Sequence, residues 1–540
     1  MTADLSSDQR GTPENIGRSP EMKIYPLGFT PDVKRLLGEV NGEVNIDTGE
    51  VNSDLKVLGL LTEEEIAVTL AKVSRNPGGF LEIARTVTEE GASEFHQRWV
   101  VSVEGYGHAS VAEHAVTHMA FENMSSLAGD SLTDNRLASY TEFSARFKGR
   151  QEVGYYTPES VRQNPELAIK WYEVHSLLFR LNDELMKKGI SYIQSEEARL
   201  KQPQRRADGP KGIKTVADQF KNLMPASRLT SIGTTMNARE VEHAVMKMLS
   251  SPFPEVQEMG RKFKEQSLKV APTLVKYADR NNYLVLTAEG IEFLVKSQVS
   301  EACYPEIQET GTLVKLIKHD PRAEDRFIAA ALYRQSPNET YEQLLGDVDR
   351  MSFAQREEAF EKLLGNLGSH DAPIRTLEFA GDYLLEIPGM TYGDWREWKR
   401  HRIETYDAKP LSVDYGYMIP VLAREMDESQ DPQYHGTVDA IRNIMGEVAD
   451  LFHMVQRVDP LAAQYCVTRF HYRPAIVKMN LREAFQFDSL RSGPTAHPFI
   501  RRLAWAFYDE IKKVHPLFAK YLGKRLYAEG RPDRGFNWTY

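Results

Sequence analysis

The sequence predicts a helix-rich α+β fold that occurs twice in tandem. Three observations carry this. A length of 540 residues exceeds what one ordinary core organises. Segments with helical spacing of apolar residues far outnumber strand-like runs. Landmarks of the first half also return in the same order in the second. Thr62–Pro77 is echoed by Asp320–Pro337, the segment around His108 by His370–Thr376, and Arg136 by Arg402. Pro158 is echoed by Pro420, and Asn237-Ala-Arg239 by Asn480-Leu-Arg482. A repeat of this length is a duplicated domain rather than a solenoid.

Residues 1–22 are polar, rich in Pro, Gly and Ser, and predict a disordered tail ahead of a strand-like Met22–Pro26. Thr62 followed by three glutamates reads as a helix cap with acids in the first turn. His108-Ala-Ser-Val-Ala-Glu-His114 follows a Gly-Tyr-Gly breaker and, with the apolar residues through Phe121, reads as a helix. Residues 159–199 have helical periodicity, with Trp171, Leu177, Leu178, Leu181 and Leu185 as the core stripe. Residues 201–217, rich in Lys, Arg, Pro and Gly, read as a loop, and Asn237 opens a further helix that ends near Ser250. The boundaries expected are a tail over 1–22, a first domain over 23–305 and a second over 306–540.

Hydrophobic content of 41%, charged content of 27% and a net charge of −10 describe a soluble chain with no general field for nucleic acid. An anionic ligand must therefore be held by a local arginine cluster. The two cysteines, Cys303 and Cys466, form no CxxC, which argues against a disulfide framework or a cysteine zinc site and fits a reducing cytoplasm. No apolar run is long enough for a membrane span or a secretory signal. His114 and His118 stand at i,i+4, a spacing that can hold zinc, but no HExxH pattern or third ligand accompanies them, so no metal site is expected.

The densest polar chemistry lies in Arg136-Leu-Ala-Ser-Tyr-Thr-Glu-Phe-Ser-Ala-Arg146. As extended chain it places Glu142, Ser144 and Arg146 on one side. That face presents an acceptor, a hydroxyl and a planar fork of donors, a set suited to a ribose hydroxyl and a phosphate. A polar loop with a surface ion pair fits the same residues.

Together, His108–His114 and Arg136–Arg146 resemble the signature of the flavin-dependent thymidylate synthases, whose pattern is HxSPxEH, then RHRxxSxNxxSxR, a tyrosine-proline stop and a late NxR helix. The resemblance covers roughly residues 56–280 and 314–510, one thymidylate synthase-like domain in each half. Each copy departs from the pattern. The first has Asp134-Asn135-Arg136 in place of Arg-His-Arg, and Thr141 for the usual Asn, but keeps Glu142, Ser144 and Arg146. The second keeps Arg400-His401-Arg402 and a late Arg491, whose counterpart in the first is Met248, but loses the Ser and final Arg of the longer motif. Lys221 and Gln464 stand where the family has the arginine of ARxxLP.

The resemblance implies reductive methylation of dUMP to dTMP, with FAD as cofactor and NADPH and methylenetetrahydrofolate as cosubstrates. It assigns cofactor binding to His108, Ser110, Glu113, Arg136, Thr141, Arg400, His401 and Arg402. It assigns nucleotide binding to Glu142, Ser144, Arg146 and Arg491. Arg491 and Ser144 are the catalytic candidates: Arg491 polarises the pyrimidine, and Ser144 acts as a binding group more than as a nucleophile. Complementary losses imply a composite site between the two repeats, in a homo-oligomer where a dimer mimics a tetramer. The partner expected is a dUMP-like nucleotide, with no nucleic acid polymer and no membrane. Two rival readings stand beside this one: a catalytically degenerate flavin- or nucleotide-binding protein, and a flavin enzyme acting on another pyrimidine.

Overall fold

Each half of the chain builds a four-stranded antiparallel sheet, and the strand order across the two sheets is the same. In the computed structural model, the first sheet runs β1 (Lys23–Gly28), β2 (Val116–Ser125), β4 (Leu229–Asn237), β3 (Ala138–Glu142). The second runs β5 (Lys315–Lys318), β6 (Asp382–Ile387), β8 (Ala475–Asn480), β7 (Thr405–Ala408). The structure describes residues 21–28, 62–73, 83, 86–87, 89–98, 108–143, 154–200, 210–299, 307, 311–368, 371–493 and 496–522. Most of the tail expected over 1–22 lies outside them. The expected fold class is met: helices dominate, and the two sheets repeat one topology. Smaller landmarks repeat as well, since the isolated bridge Tyr155↔Arg228 has its counterpart in Tyr417↔His471.

The compact units do not follow the sequence repeat. Described residues among 1–144, 148–159 and 227–302 form one unit, and those among 160–226 and 303–540 form the other.

In the first unit the helix Glu63–Val73 begins as its sequence predicts: Thr62 and Glu65 bond each other's backbone amides in a reciprocal cap. Residues 115–121 are a correction. His108–His114 is a 3₁₀ turn, and the chain then enters β2, because Val116-Thr-His-Met alternates and its β-branched residues favour a pleated surface. His118 thus sits on a strand, where its Nδ1 lies 2.8 Å from Thr235 Oγ1, and the helical i,i+4 relation to His114 does not exist. Register against β4 shifts between Phe121 and Met124, where Asn123 takes a left-handed φ of 60° that asparagine tolerates. Met119, Phe121, Ile232 and Met236 from the sheet meet Val241, Val245, Met259 and Phe263 from the helices Ala238–Leu249 and Pro254–Ser267. The helices cross closely: a Cβ at Gly260 would lie 2.8 Å from Met248 Cβ. Buried Glu255 ties this layer to the sheet by accepting from Ser125 N (2.8 Å) and Ser125 Oγ (2.6 Å).

In the second unit β6 and β8 alternate as half-buried strands should, with Tyr383, Leu385, Ile387, Ala475, Val477 and Met479 inward. The 36-residue helix Pro165–Leu200 packs on Thr437–Gln456. Trp171, Leu178 and Leu185 are buried in it as expected, but Leu177 faces solvent; Val174 and His175 fill that stretch of the stripe. The expected loop over 201–217 is a second correction, since Pro210–Phe220 is helical. Its Pro stands at the first helical position, where a missing N–H costs nothing, and Val216, Ala217 and Phe220 form a buried face. Gly189 receives that face, since a Cβ there would lie 2.8 Å from Val216 Cγ1 and 2.9 Å from Phe220 Cε2.

Burial keeps several imidazoles of this unit neutral. It lowers His175 to about 3, and His471 and His515 to about 4. The unfolded chain takes up protons at these histidines below about pH 6.5, whereas the folded unit resists them, so acid favours unfolding. Thermal melts should show the second unit's full stability above about pH 6.5 and a progressive loss toward pH 4; a flat or rising melting temperature on acidification would contradict neutral burial. In the first unit, Gly260→Val should cost about 1–3 kcal/mol in denaturant unfolding, because the crossing has no room for the added carbons.

Candidate functional site

The late Asn-x-Arg segments sit at equivalent junctions. β4 ends in Asn237 and β8 in Asn480, and each Asn caps the next helix by accepting from the amide three residues on, Glu240 N and Glu483 N, both at 2.9 Å. The cap sets the direction of the first helical turn. Two residues past it, Arg239 reaches Glu113 at 2.5 Å, and Arg482 reaches Glu378 at 2.9 Å. Glu378, in the 3₁₀ turn Arg375–Ala380, therefore does in the second copy what Glu113 does in the first. The sequence echo places this segment at His370–Thr376, too early, and so misses the acid. Its signal is the spacing to the next strand: each acid lies in a short turn three or four residues ahead of β2 or β6.

In the second copy the cap also sets a buried polar cluster. Glu483 lies under the turn at the end of the helix Tyr392–Trp398, and its Oε1 is 2.9 Å from His401 Nδ1. Arg491, the last residue of the helix Leu481–Arg491, donates from Nε to His401 Nε2 at 3.1 Å. An arginine only donates, so Nε2 carries the lone pair and Nδ1 carries the proton that Glu483 accepts. Burial holds this imidazole below the ordinary histidine value; the bond to Glu483 pulls it up and the charge of Arg491 pushes it down again. Arg491 is fixed further by Glu397, with Nη1 2.8 Å from Oε2 and Nη2 3.1 Å from the backbone carbonyl. Phe487 packs edge-on against His401 at 5.1 Å between centroids. Arg400 is half-exposed, 3.8 Å from Glu397, and Arg402 is partly buried in the same turn.

The first copy has the same scaffold with different chemistry. Tyr140 pairs with Thr234 and Tyr406 with Val477, each three residues before its Asn cap, which makes Asn135 the counterpart of His401 and Asp134 that of Arg400. Met248, eleven residues past Asn237, corresponds to Arg491 and is buried. Here Lys247 supplies the cation, bonding Asp134 Oδ2 at 2.7 Å and Asn135 Oδ1 at 3.3 Å.

The remaining candidates are more scattered. Ser110 is exposed in the 3₁₀ turn that also starts at His108, whose side chain lies outside the described residues. Arg136 is an exposed turn residue, and Thr141 faces outward on β3 opposite Gly233. Glu142 points to the other face, half-buried, and accepts from Thr230 Oγ1 at 3.3 Å. Ser144 and Arg146 lie outside the described residues. Lys221 and Gln464 both open short 3₁₀ turns, Lys221–Leu223 and Gln464–Cys466, and Gln464 Oε1 accepts from Leu411 N at 3.1 Å. The structure thus brings His401, Arg491 and the Arg400–Arg402 turn together, and separately joins Glu113 to Arg239.

Residues 56–273 and 315–517 match the Thy1 family, described as thymidylate synthase complementing protein. The chain belongs to this family. It is similar to a UPF0159 protein of Thermoplasma acidophilum, 23% identical over 476 residues that span 82% of this chain and 91% of the relative. It is also similar to a flavin-dependent thymidylate synthase of Thermococcus onnurineus, 33% identical over 143 residues, 26% of this chain and 48% of the relative. A crystal structure of flavin dependent thymidylate synthase from Helicobacter pylori, complexed with FAD and dUMP, covers 38% of this chain and 97% of its own at 18% identity and a TM-score of 0.26. Two Thy1 copies in one chain account for the repeated sheet order and the repeated Asn caps.

The proton assignment at His401 has a direct check. Glu483→Gln removes the carboxylate charge that pulls the imidazole upward, so His401 should titrate lower still when monitored by imidazole NMR. An unchanged or higher midpoint would mean that Nδ1 does not rest on Glu483.

Proposed function

We propose that this Thy1 chain is a flavin-dependent thymidylate synthase-like enzyme that reductively methylates dUMP to dTMP, with FAD as cofactor and methylenetetrahydrofolate and NADPH as cosubstrates. What carries this reading is the Arg491–His401–Glu483 network. Burying an imidazole and a carboxylate beside a guanidinium is costly unless each is bonded, and here all three are. The first copy, on the same scaffold, keeps a buried acid in Glu240 but has Met248 and Asn135 where the guanidinium and the imidazole stand. Such a difference between copies is expected where one of them is under functional constraint.

The donor set of the second copy fits a flavin dinucleotide. Arg400 and Arg402 flank the turn with planar forks suited to diphosphate oxygens. Ile403 and Leu490, sequence neighbours of Arg402 and Arg491, are exposed apolar side chains of the kind a planar ring system covers. When bound, the flavin supplies the redox chemistry. The protein's part is positional. His401, held neutral, orients the Arg491 guanidinium without adding a competing charge, and that guanidinium offers fixed positive charge where a pyrimidine carbonyl becomes electron-rich. In the first copy Glu142 is assigned to a ribose hydroxyl, and Ser144 and Arg146 to the nucleotide phosphate.

One observation favours a second reading, a flavin- or nucleotide-binding protein without turnover: Arg491 is already engaged by Glu397. The visible absorption spectrum of the full chain with added FAD, then titration with dUMP and a tritium-release assay, separates the two. The enzyme reading expects a bound flavin band perturbed by dUMP, tritium release, and a loss of at least about 100-fold in turnover for Arg491→Ala. Flavin uptake without tritium release would leave the binding reading. A protein that takes up no FAD and ignores dUMP would overturn both.

A further inference from the structure

The helix Asn282–Gln298 lies between the two stretches that match the family. Its start is firmly tied. Asn281 Oδ1 accepts from Tyr283 N (2.8 Å) and Leu284 N (3.3 Å), and Asn281 N donates to Ser250 Oγ at 2.8 Å, at the end of the helix Ala238–Leu249. Beyond that anchor the helix is bare: none of its 17 residues is buried. Tyr283, Leu286, Ile291, Phe293, Leu294 and Val295 are each 52% to 72% exposed.

At 100° per residue, Glu289, Glu292 and Lys296 share one narrow strip, and Lys296 Nζ bonds Glu292 Oε1 at 2.5 Å. Apolar side chains take most of the remaining circumference. A helix apolar over so wide an arc is normally covered, and exposed patches of this size mark contact surfaces. Gly290 sits mid-helix with nothing within 4 Å of where a Cβ would be. A glycine there costs about 1 kcal/mol relative to alanine, and no close approach among the described residues requires it.

We infer that this helix is the surface through which two copies of the chain associate. The area is right: the six exposed side chains together present roughly 700 Å², against about 800 Å² per partner in a stable interface. A two-fold arrangement lets each helix cover its twin, with Gly290 permitting close approach. The charge argues against a lipid surface as occupant. The polar strip has two glutamates and one lysine, whereas helices that lie on membranes carry lysine and arginine there. No described helix is long and apolar enough to cross a membrane.

Sedimentation velocity on the full chain tests this, and its outcome does not depend on bound flavin. The native chain should sediment as a dimer at micromolar concentration. A Phe293→Lys, Leu294→Glu double variant should sediment as a monomer there, with the dissociation constant raised at least about 100-fold and the circular dichroism unchanged. Hydrogen exchange on the native chain gives a second readout that needs no variant: residues 282–298 should be protected when concentrated and lose protection on dilution. A native chain that stays monomeric, a variant that dimerises equally well, or protection independent of concentration would overturn the inference. Flotation of the native chain with phosphatidylglycerol vesicles would overturn it in favour of a lipid surface.

Discussion

The strand-to-helix junction capped by asparagine is the constraint from which the rest of each copy is built. At Asn480 the side chain accepts the Glu483 amide, which stops β8 and starts the helix within one residue. Helical geometry then leaves no choice about direction. Arg482 is aimed at Glu378, Glu483 turns inward beneath His401, and Arg491 emerges three turns later at the helix end, where a cation is electrostatically favoured. The same cap at Asn237 places Arg239, Glu240 and Lys247. Two copies can therefore exchange their functional side chains freely while the frame that aims those side chains persists.

What differs between the copies is mainly charge. The second gathers Arg400, Arg402 and Arg491 around two carboxylates, while the first answers Asp134 with a single lysine. Guanidinium and ammonium are not equivalent here. Arg491 binds a ring nitrogen, a carboxylate and a carbonyl at once in one plane, and a lysine offers a point charge without that geometry. The first copy's junction consequently reads as a structural ion pair.

Much of this is legible in the chain. The cap at Thr62, the helix starts at Asn237 and Asn480, and the duplication all come from residue type and spacing, and the family resemblance groups Arg400–Arg402 with Arg491. Where reading fails, a local pattern is outweighed by a neighbour in space. The apolar run after His114 is too short to tell helix from strand, and pairing with β4 decides it. Lys, Pro and Gly disguise the Pro210–Phe220 helix, whose buried face becomes apparent only from Val216 onward. Glu378 escapes because its copy has lost the surrounding histidines, leaving only its distance from the next strand as a guide. Glu397 and Glu483 carry no motif at all; only folding brings them to Arg491 and His401.

The interleaving of the two units has a consequence for synthesis. The helix Pro165–Leu200 belongs with strands and helices encoded far downstream, among them Thr437–Gln456, on which it packs. At ribosomal speeds of about 5–20 residues per second, its partner emerges roughly 12–50 seconds later. For that interval the helix has only its nearer neighbour, the helix Pro210–Phe220, to pack against. A split of the coding sequence at the repeat boundary would separate this helix from the Thr437–Gln456 helix on which it packs.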